Sequence, residues 1–231
     1  MLIDTSFDVK SDAGGLDPDL HSPTLRRYHQ KLWSKPLPCG VQFTLEQHGK
    51  YLRHSSTRGT FDVGSDAITH SYKNHLRKRW LTSQIPEEVA DFFARNSTIA
   101  SYTIFPNKQI NRQHTINQAR GIKGLIDDRF DLTLECIRRH YAGGQSPLSQ
   151  VLARYGDFFA LFESFDGYVD FFLLQDLVTS EGSIKFYLPF DGFATRPRFN
   201  SVTEYLEYKH KVLGFTAARS QRMEEWCNAI P

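Results

Sequence analysis

The stretch DDRFDLTLECIRRHY, residues 127–141, carries the clearest structural signal in the sequence. Its apolar residues Phe130, Leu134, Ile137 and Tyr141 recur at a spacing of three or four, which places them on one face of an α-helix. The acidic residues at its start suit the positive end of a helix dipole, and the first of them is the predicted N-cap. The pattern predicts a helix that packs this face against a core.

Further helices are predicted on both sides of this stretch. Ser22 is a suitable cap and Pro23 a suitable first residue for a helix through Trp33. Other helices are predicted to begin near Pro86, to follow Ser146, to cover residues 168–178, and to run on from Ser201. Helix is therefore expected to outweigh strand, most of all after residue 126.

The predicted strands are few and short. Residues 41–45 and 51–54 are predicted to form a hairpin, 98–105 the strongest strand, and 184–188 a further one. The first 20 residues are rich in Asp and Gly and are predicted to form an irregular acidic arm. Together these patterns predict an α+β fold: one domain over residues 1–231, with a helix-rich C-terminal half and a small, mainly antiparallel sheet.

Composition excludes several classes of protein. The chain has 231 residues, of which 40% are hydrophobic and 23% charged, so collagen-like, coiled-coil and largely disordered chains are excluded. The formal net charge of +2 gives no indication of general nucleic-acid binding, although local basic groups occur at 73–79 and 106–126. Three widely spaced cysteines predict neither a disulfide framework nor a cysteine-based zinc site. We expect a cytoplasmic protein with no membrane segment.

Two polar segments are candidates for ligand binding. In the first, Arg26 follows a helix start, where free N–H groups favour an anion. The second, residues 106–121, is predicted to be a polar loop after the strongest strand, with Asn117 and Arg120 as its ligand-binding residues. An arginine offers a fork for phosphate, and an asparagine offers both a donor and an acceptor. We expect Arg26 and Arg120 to face one cleft, and Arg120→Ala to fold normally.

A third candidate lies in the stretch quoted first. Asp131, Glu135 and Arg138 share one face of the predicted helix, and paired carboxylates of this kind can serve as acid and base or hold a divalent cation. The alternative is ordinary ion pairing of Glu135 with Arg138 and Arg139 at helical spacing. Both interpretations stay open from the sequence. No metal site is predicted, and the sequence does not specify a cofactor or an oligomeric state.

Long sequence blocks resemble a family of uncharacterised bacterial proteins. These blocks are DPDLHSPTLRRYHQKLWSKPLP (17–38), TINQARG (115–121), DRFDLTLECIRRHY (128–141), GYVDFFLLQDLV (167–178) and KFYLPFDGF (185–193). The resemblance covers nearly the whole chain and implies a bacterial, cytoplasmic protein, but it carries no activity and no catalytic residues. Where the family is expected to have two glycines before Phe-Pro, this chain has Ser101, Tyr102 and Thr103.

The leading functional hypothesis is binding of a phosphate-bearing ligand, either a nucleotide or a nucleic-acid end. Arg26 and Arg120 would hold phosphate, Asn117 would orient the ligand, and Asp131 or Glu135 would serve as acid or base if the ligand is processed. One enzymatic variant is ADP-ribosyl transfer, because LRHSS (52–56) resembles the histidine-containing first strand of such enzymes. The competing hypothesis is a non-enzymatic interaction or defence-complex subunit with an aromatic binding surface.

Overall fold

The computed structural model describes residues 3–229 and has the predicted α+β architecture. The helices of these residues are α1 (Val9–Asp12), α2 (Pro18–His21), α3 (Pro23–Trp33), α4 (Arg79–Thr82), α5 (Pro86–Arg95), α6 (Ile116–Ile122), α7 (Phe130–Tyr141), α8 (Ser149–Arg154), α9 (Gly156–Phe159), α10 (Phe165–Phe171) and α11 (Val202–Ala229). Short 3-10 helices cover Leu76–Lys78, Ile99–Ser101, Ala160–Phe162 and Gln175–Leu177. The predicted predominance of helix is confirmed.

The sheet has four antiparallel strands in the order β1 (Glu46–His48), β2 (Tyr51–Ser56), β3 (Gly59–Ala67) and β4 (Tyr102–Pro106). Strand β3 is central, although its polar sequence did not predict a strand. The hairpin is shifted along the chain, because residues 41–45 lie outside the strands and β1 follows them. Residues 184–188 contribute only one isolated bridge, between Ile184 and Val178. Strand positions were therefore predicted less well than helix positions.

Helix α7 lies in the middle of the core. Every residue from Phe130 to Ile137 is buried, so the helix is covered on all sides over its first two turns. The predicted apolar face is confirmed, with Leu134 and Ile137 fully buried. The predicted cap at Asp127 is wrong: Arg129 is the N-cap residue, and its side chain makes no capping hydrogen bond. Asp127 belongs instead to the preceding turn, in the left-handed conformation with φ of 48°.

An aromatic cluster forms much of the core. The rings of Phe162, Phe171 and Phe172 lie with centroids 4.9–5.2 Å apart, and Tyr168 lies 4.9 Å from Phe172. Edge-on and tilted arrangements of this kind suit the charge distribution of aromatic rings. The cluster continues through Trp33 at the end of α3, whose predicted cap, Ser22, is confirmed by its hydrogen bond from Leu25 N.

The first 20 residues are not the predicted irregular arm. Val9 in α1 is fully buried, and its backbone N–H donates to the carbonyl of Ser97 at 2.9 Å. In α2, both carboxylate oxygens of Asp19 accept from the backbone N–H of Ser65 in β3, at 2.7 and 2.9 Å. The segment therefore packs onto the sheet, and its acidic residues cap helices or accept hydrogen bonds from backbone N–H and serine hydroxyl groups.

The environment of Asp19 predicts a pH-dependent contribution to stability. Burial raises the pKa of Asp19 to about 6, against an ordinary value of 3.8, despite the hydrogen bonds from Ser65 that favour the charged form. The folded protein therefore binds this proton more tightly than the unfolded chain, and the stabilisation is lost as pH rises through about 6. Relative to Asp19→Asn, the wild-type protein should gain unfolding free energy as pH falls from about 6 to about 4. Urea melts of both proteins at several pH values measure this difference, and parallel curves would contradict it.

Candidate functional site

The segment around Asn117 and Arg120 is a helix, not the predicted loop. Helix α6 begins after Thr115, whose hydroxyl accepts from Gln118 N at 3.3 Å while the Gln118 side chain accepts from Thr115 N at 3.0 Å. This reciprocal pair is a capping box, which satisfies two backbone donors at the helix start. The T-x-x-Q sequence pattern of a capping box is present at residues 115–118, so the start of this helix could have been predicted.

Arg120 is fully buried and binds protein groups with its whole guanidinium. Its NH1 lies 2.6 Å from Asp66 Oδ2, and its Nε donates to Thr133 Oγ1 at 3.0 Å. Further donations reach the carbonyls of Ala67 and Asp128, both at 3.2 Å. Desolvation acts to lower the pKa of Arg120, but Asp66 and Asp128 outweigh it and raise that pKa. Arg120 therefore links β3, α6 and α7 as a structural anchor.

Arg26 and Asn117 do not join Arg120 in one cleft. Arg26 is half-buried, and its NH1 donates to the carbonyl of Asp19. It lines a space of only about 10 Å³, together with Asp19 and Ser65. Asn117 is exposed on α6, and its side chain makes no hydrogen bond within residues 3–229. The expectation of a shared Arg26–Arg120 cleft is therefore wrong.

The two carboxylates predicted as acid and base are held by arginines. Asp131 is fully buried, and its carboxylate accepts hydrogen bonds from both Nε and NH2 of Arg129. Tyr187 N also donates to it, at 2.9 Å. Both of its oxygens are thus occupied by protein donors.

Glu135 is also engaged, as the ion-pair alternative predicts. Arg138 Nε and Arg139 Nε each lie 2.7 Å from its carboxylate oxygens. Burial acts to raise the pKa of Glu135, but the hydrogen bonds from the two arginines outweigh it and lower that pKa. Glu135 is therefore held ionised by two arginines of its own helix.

The histidine behind the ADP-ribosyl variant is a core residue. His54 in β2 is 1% exposed, its ring stacks on Phe43 at 3.9 Å, and its Nδ1 lies 3.0 Å from the carbonyl of Thr44. His54 does not line the cavities beside residues 77–80 and 188–204. Its contacts give it a packing role in the sheet.

A basic cleft, the arginine cleft, lies on the surface of the described chain. It has a volume of about 460 Å³ and lies between three segments: residues 77–80, residues 124–127, and residues 196–200 before α11. Its charged lining consists of four cations and one carboxylate: Arg77, Lys78, Arg196, Arg198 and Asp127. These segments are far apart in sequence and meet only in the folded chain.

The floor of the arginine cleft is a buried ion pair. Lys78 Nζ lies 3.1 Å from Asp127 Oδ2, with side-chain exposures of 9% and 7%. Lys78 also donates to the carbonyl of Pro197, at 3.4 Å, which fixes the third segment against the floor. Asp127 and Asp128 are consecutive residues with positive φ, 48° and 62°, a conformation that costs energy in non-glycine residues and is common at functional sites.

The rim of the arginine cleft carries three uncompensated charges. Arg77, Arg196 and Arg198 are exposed, and within residues 3–229 none of them pairs with a carboxylate or donates a side-chain hydrogen bond. Gly124 lets Arg196 approach the turn, because a Cβ at Gly124 would lie 3.0 Å from Arg196 Nε. The lone carboxylate of the lining is already matched by Lys78, so the cleft as a whole is strongly positive.

One wall of the arginine cleft is aromatic. Trp80 lines it and is 55% exposed, which is unusual for so large an apolar side chain. Phe199 lines it from below and packs its ring edge-on against Tyr72, with centroids 5.2 Å apart. The cleft therefore combines cations with one exposed aromatic face.

A larger cavity of about 560 Å³ adjoins the arginine cleft and shares Arg196 and Arg198 with it. Its lining also includes Asp191 and Glu204, so its charge is mixed. Asp191 caps the turn that follows it, accepting from Ala194 N and Thr195 N. An anion is therefore favoured less here than in the arginine cleft.

Two histidines lie behind the floor of the arginine cleft. His75 Nε2 is 3.7 Å from Asp127 Oδ1, and His70 Nδ1 is 3.7 Å from Asp128 Oδ2. Burial lowers the pKa of both, so both are neutral at pH 7. Among the described residues, no group of three or more His, Cys, Asp or Glu side chains is placed to hold a metal ion.

The described chain thus has an α+β fold that carries a basic, aromatic-walled cleft. The chain belongs to the Family of unknown function (DUF6994), whose model matches residues 3–223. No curated protein and no solved structure matches the chain. Within residues 3–229, no helix has the length and apolar character needed to cross a membrane. The predicted uncharacterised family is confirmed, whereas the bacterial origin and cytoplasmic location stay predictions.

Proposed function

We propose that this protein binds a phosphate-bearing ligand, a nucleotide or a nucleic-acid end, in the arginine cleft. The observation that carries the proposal is the convergence of Arg77, Arg196 and Arg198 on one cavity without carboxylate partners among the described residues. Arginines on a solvated surface are normally dispersed among acids, whereas here three segments of the chain bring like charges together. A phosphate would offset their mutual repulsion through charge-assisted, bidentate hydrogen bonds.

The dimensions of the cleft agree with this ligand class. Small-molecule sites have volumes of roughly 300–1,000 Å³ and combine apolar walls with a few convergent polar groups. Trp80 supplies an exposed face on which a base can stack, an interaction worth about 1–3 kcal/mol per base. The cleft therefore favours a nucleotide over inorganic phosphate.

Any proton transfer in this site is assigned to His75, which is neutral at pH 7 and lies 3.7 Å from Asp127, in place of Asp131 and Glu135. Asp127 lines the cleft, and His75 lies behind it with a buried, unpartnered Nδ1 within the described residues. By contrast, both oxygens of Asp131 are bound by Arg129 and Tyr187 N. Asp127, Asp131 and Glu135 are thus all held in ion pairs, and His75 is the proton acceptor that the site has to offer.

Arg196→Ala should weaken nucleotide binding at least about tenfold, because it removes a bidentate contact to phosphate. A loss of about 1.4 kcal/mol in binding free energy already gives a tenfold change in affinity. Isothermal titration of the wild-type protein and the variant with adenosine triphosphate measures the loss. Thermal melting should be nearly unchanged, since Arg196 makes no side-chain hydrogen bond within residues 3–229.

The matched control is Arg58→Ala, which removes the same charge from the exposed turn between β2 and β3. Arg58 lines neither the arginine cleft nor the cavity beside it. Equal losses of nucleotide affinity in the two variants would show that the effect comes from net charge. The proposal that the arginine cleft is the binding site would then be wrong. Failure of the wild-type protein to bind at millimolar nucleotide would reject the function itself.

The alternative, an interaction subunit with an aromatic surface, has less support. Seven large hydrophobic side chains are exposed among the described residues, and the aromatic ones are Tyr51 and Trp80. Tyr51 lies in β2 and Trp80 in α4, whereas the Phe pairs at 158–159 and 171–172 are buried in the core.

A further inference from the structure

A second basic cavity lies between α6, α8 and the loop that precedes α6. It has a volume of about 370 Å³, and its charged lining is Arg112, Lys123 and Arg154, with His114 beside them and no Asp or Glu. Within residues 3–229, neither Arg112 nor Lys123 pairs with a carboxylate or donates a side-chain hydrogen bond. Like the arginine cleft, this cavity thus gathers cations that the described protein leaves uncompensated.

The loop that carries Arg112 is fixed by several contacts. Tyr155 OH donates to the carbonyl of Lys108 at 2.9 Å, and Arg154 NH2 donates to the carbonyl of His114 at 2.8 Å. Arg154 Nε is buried with no partner among the described residues. Asn111 and Arg112 both have positive φ, 52° and 57°. The cation at Arg112 is therefore presented by an anchored turn.

The two basic cavities are neighbours along the chain. Lys123 lines the second cavity, and the next residue, Gly124, lines the arginine cleft. Consecutive Cα atoms are only about 3.8 Å apart, so one turn contributes to both cavities. Ile122, 57% exposed, lines the second cavity beside Lys123. Each cavity thus combines cations with an exposed apolar side chain, Trp80 in one and Ile122 in the other.

We infer that the ligand is a single-stranded nucleic acid whose end lies in the arginine cleft and whose following nucleotides cross Lys123–Gly124 into the second cavity. The inference rests on the proposed function and specifies its ligand. Single-strand sites combine a positive groove for the backbone with apolar faces for unstacked bases, and both are present here. A mononucleotide would fill the arginine cleft alone and would leave Arg112 and Lys123 without a phosphate.

The overall charge of +2 is compatible with this inference, because part of the positive charge is concentrated in two cavities. The two cavities hold seven Lys or Arg side chains against one carboxylate, Asp127, which Lys78 already neutralises. Average charge gave no indication of general nucleic-acid binding, whereas the folded chain places these seven cations in two cavities that share one turn.

Fluorescence anisotropy with labelled oligothymidylates of one, four and eight nucleotides tests the inference. The wild-type protein should bind the eight-nucleotide strand at least about tenfold more tightly than the mononucleotide. Arg112→Gln/Lys123→Gln should abolish that gain and leave mononucleotide affinity unchanged. The same double variant should reduce the salt dependence of eight-nucleotide binding, since each lost phosphate contact lowers the slope of log affinity against log salt by about 0.7.

The control is Arg58→Gln/Lys185→Gln, which removes two exposed cations outside both cavities and should keep the full gain with length. Equal affinities for one and eight nucleotides would overturn the inference and leave the proposed function in place. A gain that survives in Arg112→Gln/Lys123→Gln, or tighter binding of a duplex of the same length, would also overturn it. Binding of neither the mononucleotide nor the strands would reject the proposed function as well.

Discussion

Arg120→Ala is expected to lower the free energy of unfolding by about 3–5 kcal/mol, the range typical of breaking a buried ion pair by removing one partner. The substitution leaves Asp66 buried at 4% exposure without its guanidinium, and it removes the donors of the Ala67 and Asp128 carbonyls. Burial already raises the pKa of Asp66 to about 6 with Arg120 present. Urea melts followed by circular dichroism measure the loss.

The control for this prediction lies on the same helix. Asn117→Ala removes an exposed side chain that makes no hydrogen bond within residues 3–229, and it should change stability by less than about 0.5 kcal/mol. If Arg120→Ala were as mild as Asn117→Ala, the anchor described for Arg120 would be wrong, and the original assignment of Arg120 to a ligand would regain its basis.

Leu134→Ala is expected to cost about 2–5 kcal/mol, because it removes buried methyl groups and leaves a cavity that the surroundings fill only in part. Leu134 is fully buried in the middle of α7, where every residue from Phe130 to Ile137 is covered. Ile122→Ala is the control, since Ile122 is 57% exposed and should change stability little. A loss below about 0.5 kcal/mol for Leu134→Ala in denaturant melts would show that α7 is not docked as the structure has it.

Helices with local signals were predictable from the sequence. Ser22 and Pro23 mark the start of α3, and the spacing of Phe130, Leu134 and Ile137 marks the buried face of α7. In each case the deciding interaction is between residues a few positions apart. A cap bonds to the helix that it starts, and helical spacing depends only on the geometry of one turn.

Strand β3 and the burial of Arg120 were not predictable in this way. The sequence GTFDVGSDA is polar because its side chains bind groups from elsewhere: Ser65 Oγ lies 2.7 Å from His29 Nε2, and the Asp66 carboxylate pairs with Arg120. A polar strand is stable only when distant residues supply those partners. Arg120 and Asp131 were expected to be exposed because they are charged. Their burial was not predictable, because the groups that neutralise each charge are brought to it only by folding.

The arginine cleft was recognisable in part. The sequence shows a basic group around Arg77 and Lys78, but it also shows a similar group at residues 106–126. Charge alone does not indicate which of these cations stay unpaired in the folded chain. Arg196 and Arg198 reach the cleft from a segment more than a hundred residues away. The packing of the whole chain brings residues 196–200 next to residues 77–80. One contact that does so is the hydrogen bond from Tyr205 OH to the carbonyl of Ser71, at 2.6 Å.

The most direct test of the central claim is a crystal structure of the protein grown with adenosine triphosphate. The phosphate-binding account predicts phosphate density within hydrogen-bond distance of Arg77, Arg196 and Arg198, with the adenine ring against Trp80. A nucleotide bound elsewhere on the protein, or an arginine cleft that holds only solvent at a concentration that saturates binding in solution, would contradict it.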